Sequence, residues 1–276
     1  MSTTDEQLER LVSAVLDSSK YSGVCPDLVL QVGQSELARR KTFKEAVKST
    51  KNKLHQVSGA YFTGKEDYTR WLGRLQQAKD QTQQKEACTD IMRYHASTRE
   101  RLPFLEEFYA SLSPELSSAH SILDLACGFN PLALPWMPLA EDASYHACDI
   151  QQPMMDFLQE WFRISGVHGH AESRNILLHP PQEQFDVAFL LKTLPCLEQI
   201  DKQAGLHLLQ AIQARYLIVS FPARSLGGKK KGMETYYEEH FRSLVAGTPW
   251  EARSIQLPNE LIFVVHKPEL SAEKPT

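Results

Sequence analysis

The segment SILDLACGFNP (121–131) passes from an apolar strand pattern into Gly128 and Asn130, and Asp149 closes the next strand-like run, YHACDI. In an open parallel sheet the ligand sits where the first strand turns into its helix. A glycine there lets the backbone approach the ligand, and an acidic residue about 20 residues on, ending the second strand, takes ribose hydroxyls. Asp124, Gly128 and Asp149 stand in that relation. Taken alone the loop reads equally as an ordinary strand turn; Asp149 at its spacing favours a nucleoside-bearing ligand. More chemistry-bearing side chains crowd MRYHASTRERLP (92–103). On a helix Ser97 and Arg101 share one face and His95 and Arg99 another. An arginine turned into a pocket could hold a carboxylate with two parallel donors, although the plainer reading of this stretch is a solvated basic helix.

The elements that must position these residues differ along the chain. Residues 1–112 carry apolar positions at helical spacing, whereas beyond about 120 short strand-like runs alternate with helical stretches. The runs begin at 121, 144, 185 and 215, and a closing pair at 250 and 260 is split by Pro258-Asn259, which reads as a hairpin. Strands alternating with helices predict a mainly parallel α/β sheet wrapped by helices, with a terminal antiparallel hairpin. The segment around Pro114 is the expected boundary between an all-helical domain, 1–112, and the sheet domain, 113–276.

The loop D-x-A-x-G-x-N resembles the D/E-x-G-x-G-x-G turn of class I S-adenosylmethionine methyltransferases, with two of the three glycines replaced. S-adenosylmethionine has no pyrophosphate and does not need a fully open glycine cradle, so it suits this turn better than NAD. FDVAFLLKTLPCLE (185–198) fits the fourth strand of that fold, with Leu190 and Leu191 beside the adenine.

Six segments together, KLHQVSGAYF, HASTRERLPFLEEFY, LDLACGFNPLALPWM, CDI, FLLKTLPCLE and SFPARSLGGKKKGM, resemble the aminoglycoside-resistance 16S ribosomal RNA methyltransferases that modify nitrogen 7 of the A-site guanine at position 1405. The resemblance runs from about Leu54 to His266 and implies S-adenosylmethionine as cofactor and the 30S subunit as substrate. It further implies that Phe62 reaches the cofactor from the helical domain. His95, Ala96, Ser97 and Arg101 line its methionine end, with Arg101 on the carboxylate. Ala126 and Gly128 form the turn, Asp149 holds the ribose, Asn175 and Ile176 flank the adenine, and Leu191 packs in the same pocket. Lys192 and Glu198 match positions tied to target engagement. Family members often carry a glutamine shortly after that glutamate; here LEQID offers Gln199, followed by Ile200. The LGGKKKGM loop replaces a mixed Arg/Lys/Gly version. Resistance to gentamicin- and kanamycin-type drugs is the implied consequence.

The chemistry agrees with that resemblance. Guanine nitrogen 7 has a free lone pair and no proton, so attack on a sulfonium methyl needs alignment and no general base. Such a reaction leaves no Cys–His, Ser–His–Asp or paired-carboxylate constellation, and none is evident. RNA does require positive surface. The net charge of −4 hides seven cations between residues 39 and 53, Arg39, Arg40, Lys41, Lys44, Lys48, Lys51 and Lys53, against the single acid Glu45. If helical, this stretch puts Phe43, Val47, Thr50 and Leu54 on one face and Lys41, Lys44, Lys48 and Lys51 on another. Arg224, Lys229, Lys230 and Lys231 form a second cluster, with Gly227 and Gly228 between them.

Composition bounds the alternatives. With 42% apolar and 23% charged residues the chain reads as globular. No run approaches the roughly 20 apolar residues of a membrane helix, and the polar, acidic N-terminus is no secretory signal, so a cytoplasmic address is expected; the protein is further expected to be a monomer. Cys25, Cys88, Cys127, Cys148 and Cys196 are scattered without CxxC spacing, which predicts reduced thiols and no structural metal. Rival readings are a pyrimidine carbon-5 enzyme using Cys196 as nucleophile, a methyltransferase for the neighbouring A-site adenine, and a small-molecule methyltransferase or non-catalytic cofactor-binding module.

Overall fold

The computed structural model describes residues 3–59, 61–64, 66–223 and 233–268. It opens with α1 (Thr3–Leu16), α2 (Pro26–Arg39) and α3 (Phe43–Leu54), the last running into a π turn at His55–Gly59. Pro26 starts α2, where its missing N–H costs nothing. Thr42 and Glu45 close a capping box on α3, each side chain meeting the other's backbone N–H. Helices α4 (Tyr68–Gln77), α5 (Gln81–Met92), α6 (Ala96–Arg101), α7 (Leu105–Ser111) and α8 (Ser113–Leu116) lead into the sheet. Asp67 and Asp80 cap α4 and α5.

The sheet comprises β1 (Ser121–Leu125), β2 (Ser144–Asp149), β3 (His168–Ser173), β4 (Gln184–Leu191), β5 (Gln213–Pro222), β6 (Glu251–Leu257) and β7 (Glu260–His266). Helix α9 (Gln152–Ser165) joins β2 to β3. Helices α10 (Leu194–Leu197) and α11 (Ala204–Ala211) join β4 to β5, and α12 (Met233–Val245) precedes β6. The strand order is β3-β2-β1-β4-β5-β7-β6. Pairings from β3 through β5 are parallel, while β7 runs antiparallel to β5 and β6 antiparallel to β7. This is the expected α/β sheet with its terminal hairpin. The sequence reading did not resolve β3: HGHAES has no apolar alternation, because this edge strand buries none of its residues fully.

Helical texture ends near residue 112, but the apolar core changes earlier. Leu11, Val15, Leu28, Val29, Val32, Ala46 and Leu54 give α1–α3 a core of their own. Trp71, Leu75, Ile91, Met92 and Phe108, from α4, α5 and α7, instead share a core with Phe129, Phe157, Trp161 and the sheet. Apolar spacing shows that a helix has a buried face, not what covers it. Two seams join the parts. Val24 bridges Gln151, and Cys25 N–H donates to Ile150 O at 2.7 Å. Phe62 bridges His95, with Ala96 N–H on Tyr61 O at 2.7 Å.

Candidate active site

The C-terminal end of β1 turns sharply. Ala126 and Gly128 both have φ of +51°, the left-handed region that L side chains resist. The turn is locked from β2: Asp149 Oδ2 accepts from Gly128 N–H at 3.0 Å and its Oδ1 from Ile150 N–H at 2.6 Å. Burial raises the Asp149 pKa, and these backbone donors oppose the rise. The His95 ring lies directly over the glycine. A Cβ at Gly128 would meet His95 Cε1 at 2.6 Å, so no side chain fits there.

Beside this turn opens a cleft of about 920 Å³, its open mouth included. It gathers residues from both parts of the chain. Of the residues expected at a site, Phe62, His95, Ser97, Arg101, Ala126, Asp149, Asn175, Ile176, Leu191 and Lys192 line it. Several expected residues stand outside its lining, among them Leu190, which is buried in the core of the sheet. Ala96 is buried behind Tyr61. Gly128 lies beneath His95. Glu198 is engaged by His240 Nε2 at 2.8 Å. Gln199 is exposed, whereas its neighbour Ile200 lines the wall and packs against the α1–α3 core. Leu28, Val57 and Ile150 also line the cleft; sequence reasoning missed them because they read as ordinary core positions of their own elements.

Arg101 is nearly fully buried, and its guanidinium is already in use. Nε and Nη2 donate to Glu260 at 3.0 and 2.5 Å, and Nη1 donates to Asn130 at 3.0 Å. Two of its five N–H donors remain, so a ligand carboxylate would be met by an arginine whose plane β7 already fixes. Burial disfavours the Arg101 charge, but the Glu260 carboxylate beside it holds the guanidinium protonated. Burial would raise Glu260, yet Arg101 and Lys192 pull it below the usual carboxylate range. Lys192 follows β4 with φ of +59° and places Nζ on Glu100 at 2.7 Å and 3.7 Å from Glu260.

The network continues inward. Asn130 donates to Asp124 Oδ2 at 3.0 Å and Tyr145 donates to the same oxygen at 2.6 Å, while Oδ1 is buried without a partner. Burial pushes Asp124 up to about 7 despite those donors. His95 goes the other way. Burial, with Lys192, Arg101 and Arg99 nearby, lowers it to about 3, and its Nδ1 has no partner. Near neutral pH it is an uncharged ring, packed on Tyr61, Phe62 and Phe129. Cys196 also faces the cleft, but burial raises its thiol pKa, and its sulfur sits 2.8 Å from Tyr61 OH.

The basic stretch folds as its spacing predicts. Ala46, Thr50 and Leu54 are buried, Phe43 and Val47 half-buried, and Lys41, Lys44 and Lys48 exposed, with Lys51 half-exposed. Arg39 is exposed. Arg40 and Lys53 are tied differently: both reach the buried Glu36, at 2.7 and 2.9 Å, so they serve the packing of α2 on α3. Arg224, Lys229, Lys230 and Lys231 lie outside the described residues. Among the described residues no cluster of His, Cys, Asp and Glu could hold a metal ion, and no helix is long and apolar enough to cross a membrane.

With this geometry in place, comparison with known proteins is decisive. The sequence model of the ribosomal RNA methyltransferase (FmrO) family matches residues 17–264. The chain belongs to that family. Among relatives, the 16S rRNA (guanine(1405)-N(7))-methyltransferase of Micromonospora rosea is 35% identical over 271 residues, covering 96% of this chain and 99% of its own. The enzyme of the same name from Serratia marcescens is 33% identical over 259 residues, 93% of this chain and 97% of its own. The crystal structure of the 16S rRNA methyltransferase RmtF in complex with S-adenosyl-L-homocysteine superposes with a TM-score of 0.84 at 32% identity, covering 96% of this chain and 99% of that one. The 16S rRNA methylase RmtB gives 0.77 at 28% identity, covering 95% and 98%. In this chain the turn carries one glycine, Gly128, and it is the residue that His95 covers.

Proposed function

We propose that the protein transfers the methyl group of S-adenosylmethionine to nitrogen 7 of guanine 1405 in the 16S rRNA of the 30S subunit, acting in the cytoplasm as a monomer. The observation that carries this reading is the Gly128 amide held on the Asp149 carboxylate at the edge of the cleft, where the strand ends of β1, β2 and β4 meet. The residues present fit the donor. Asp149 keeps lone pairs for ribose hydroxyls beyond the backbone bonds it accepts, and Gly128, having no side chain, makes room for the His95 ring that walls the cleft. Asn175 and Ile176 wall the adenine end. At the methionine end Arg101 has donors to spare for a carboxylate, and Ser97 and Phe62 complete the enclosure.

When bound, S-adenosylmethionine supplies a sulfonium methyl ready for transfer. The protein's part is placement and exclusion of water. Leu191, Phe62 and the neutral His95 ring give the cleft apolar walls. Lys192, set in place by its backbone N–H on Ser220 O at 3.0 Å and by its Nζ on Glu100, faces the cleft beside the donor and is positioned to meet the RNA. Glu198 lies further out, held by His240. No side chain is asked to take a proton, because guanine nitrogen 7 carries none. The target base lies in a structured RNA helix and must be turned out of its stack to enter. The exposed lysines of α3, with Arg39, supply the sequence-independent grip on phosphates that such docking needs.

A methyl on nitrogen 7 fixes a positive charge on the base and removes an acceptor, which repels a cationic 4,6-linked aminoglycoside docked there. A host making the protein becomes resistant to gentamicin- and kanamycin-type drugs while neomycin-type drugs stay active. The deciding experiment is mass mapping of 16S rRNA from 30S subunits incubated with protein and S-adenosylmethionine. It must return one added methyl on nitrogen 7 of guanine 1405; a methyl on another base or atom refutes the assignment. The carbon-5 alternative is disfavoured by Cys196, whose thiol is raised by burial and engaged with Tyr61.

A further inference from the structure

We infer that Gln31 is a positioning residue for the adenine end of the donor site, so that the helical unit bearing the basic face also completes the cofactor pocket. The inference rests on the methyltransferase reading above and goes beyond it in assigning part of the donor site to α2.

Asn175 is 2% exposed and follows β3 at the wall of the cleft. Its amide is used at both ends. Nδ2 donates to Gln31 Oε1 at 3.0 Å, and Oδ1 accepts from Leu177 N–H at 3.1 Å. The second bond is local and could form in an isolated loop. The first comes from 144 residues away in sequence, and it fixes which way the amide faces. Without Gln31 the buried Nδ2 group would lose its acceptor, which a buried donor tolerates poorly.

Gln31 does not act alone on α2. Leu28, one turn earlier, is 2% exposed and lines the same cleft. Cys25, which precedes the helix, donates its N–H to Ile150 O, so the start of α2 is fastened to the residue after Asp149. The helix thus touches the site at the loop after β2 and again at the loop after β3. Its other end is the exposed Arg39, about 20 Å from its start at 1.5 Å per residue. One rigid helix therefore runs from the donor site to the surface that meets the RNA. Any shift of the unit on docking is felt at Asn175, and the coupling must act in both directions.

Two variants separate positioning from bulk stability. Gln31→Leu keeps size and cannot accept a hydrogen bond; Gln31→Glu keeps the acceptor. Calorimetric affinities of the full chain are measured for S-adenosylhomocysteine and for 5′-methylthioadenosine, which has the adenosine but no amino-acid end. Gln31→Leu is expected to weaken both ligands by the same factor, roughly 3- to 10-fold, as befits one hydrogen bond. Gln31→Glu is expected to stay within about two-fold of the parent. Unchanged affinity in Gln31→Leu overturns the proposal, as does a loss confined to S-adenosylhomocysteine or a failure of Gln31→Glu to rescue. If the parent protein takes up neither ligand, the methyltransferase reading itself falls, and this assignment with it.

Discussion

Replacing Gly128 by alanine tests the turn on which the donor site depends. The new Cβ would enter at φ +51° and lie 2.6 Å from His95 Cε1, with the two ring nitrogens at 3.0 and 3.1 Å. The conformational part costs roughly 1 kcal/mol for an L residue. The steric part is larger, because His95 has nowhere easy to go. Its ring is held by Tyr61 at 5.8 Å, Phe62 at 5.2 Å and Phe129 at 5.7 Å between centroids, and such pairs contribute about 0.5–1.5 kcal/mol each. Displacing the ring therefore brings the total to roughly 2–4 kcal/mol. The informative measurement is a double-mutant cycle with His95→Ala, read by urea denaturation. Once the imidazole is gone the added methyl has room, and only the conformational cost remains. Gly128→Ala should then cost about 1 kcal/mol in the His95→Ala background, a coupling of about 1–3 kcal/mol. Simple additivity, within about 0.5 kcal/mol, would refute the claim that His95 is what forbids a side chain at this position.

Reversal of Lys44, Lys48 and Lys51 to glutamate should abolish methylation of 30S subunits in a tritium-transfer assay while calorimetric affinity for S-adenosylhomocysteine stays unchanged; retained methylation would remove α3 from the docking surface. Asp124→Asn addresses pH. The folded carboxyl sits near 7, above its unfolded value, so its contribution to stability is full below about pH 4 and is lost as pH rises through 7. The asparagine variant should lack that part of the slope between about pH 4 and 7 in a pH series of thermal midpoints, and an unaltered slope would count against the shift. Cys196→Ala should keep near-normal methyl transfer, with at most a small stability loss from the Tyr61 contact; complete inactivity would revive the carbon-5 reading.

The sequence revealed most where chemistry and periodicity coincide. The strands of the sheet centre were legible because they are buried on both faces, as in LDL and FLL. β3 was not, since an edge strand with exposed histidines lacks that signal. Gly128 and Asp149 could be paired by their spacing alone, and the structure joins them through one hydrogen bond. Arg101 could be placed at a site but its partner could not: Glu260 lies 159 residues away on the final hairpin, and nothing local marks a glutamate there as buried. The basic run shows the same limit. Seven cations between residues 39 and 53 look alike, yet Arg40 and Lys53 are drawn to Glu36, a residue whose burial depends on how three helices meet. Spacing reports faces; it does not report which neighbour each face finds.

The ionisable groups around the cleft explain why a reaction without proton transfer suits this architecture. A residue held ready as a base needs a pKa near working pH and an open path to the substrate. His95 fails the first condition at about 3. Cys196 is kept protonated by burial, and Tyr61 is likewise raised. Asp124 meets the first condition at about 7 but fails the second, because its oxygens lie behind the turn, one bound by Asn130 and Tyr145 and the other enclosed. Glu260 is saturated by Arg101 and Ser220. Each of these groups is spent on shape: an uncharged wall, a fixed guanidinium plane, a rigid turn. A nucleophile bearing its own lone pair and no proton makes no further demand, and guanine nitrogen 7 is such a nucleophile. The same cleft would serve poorly for an exocyclic amine, whose lost proton would find no acceptor among these side chains.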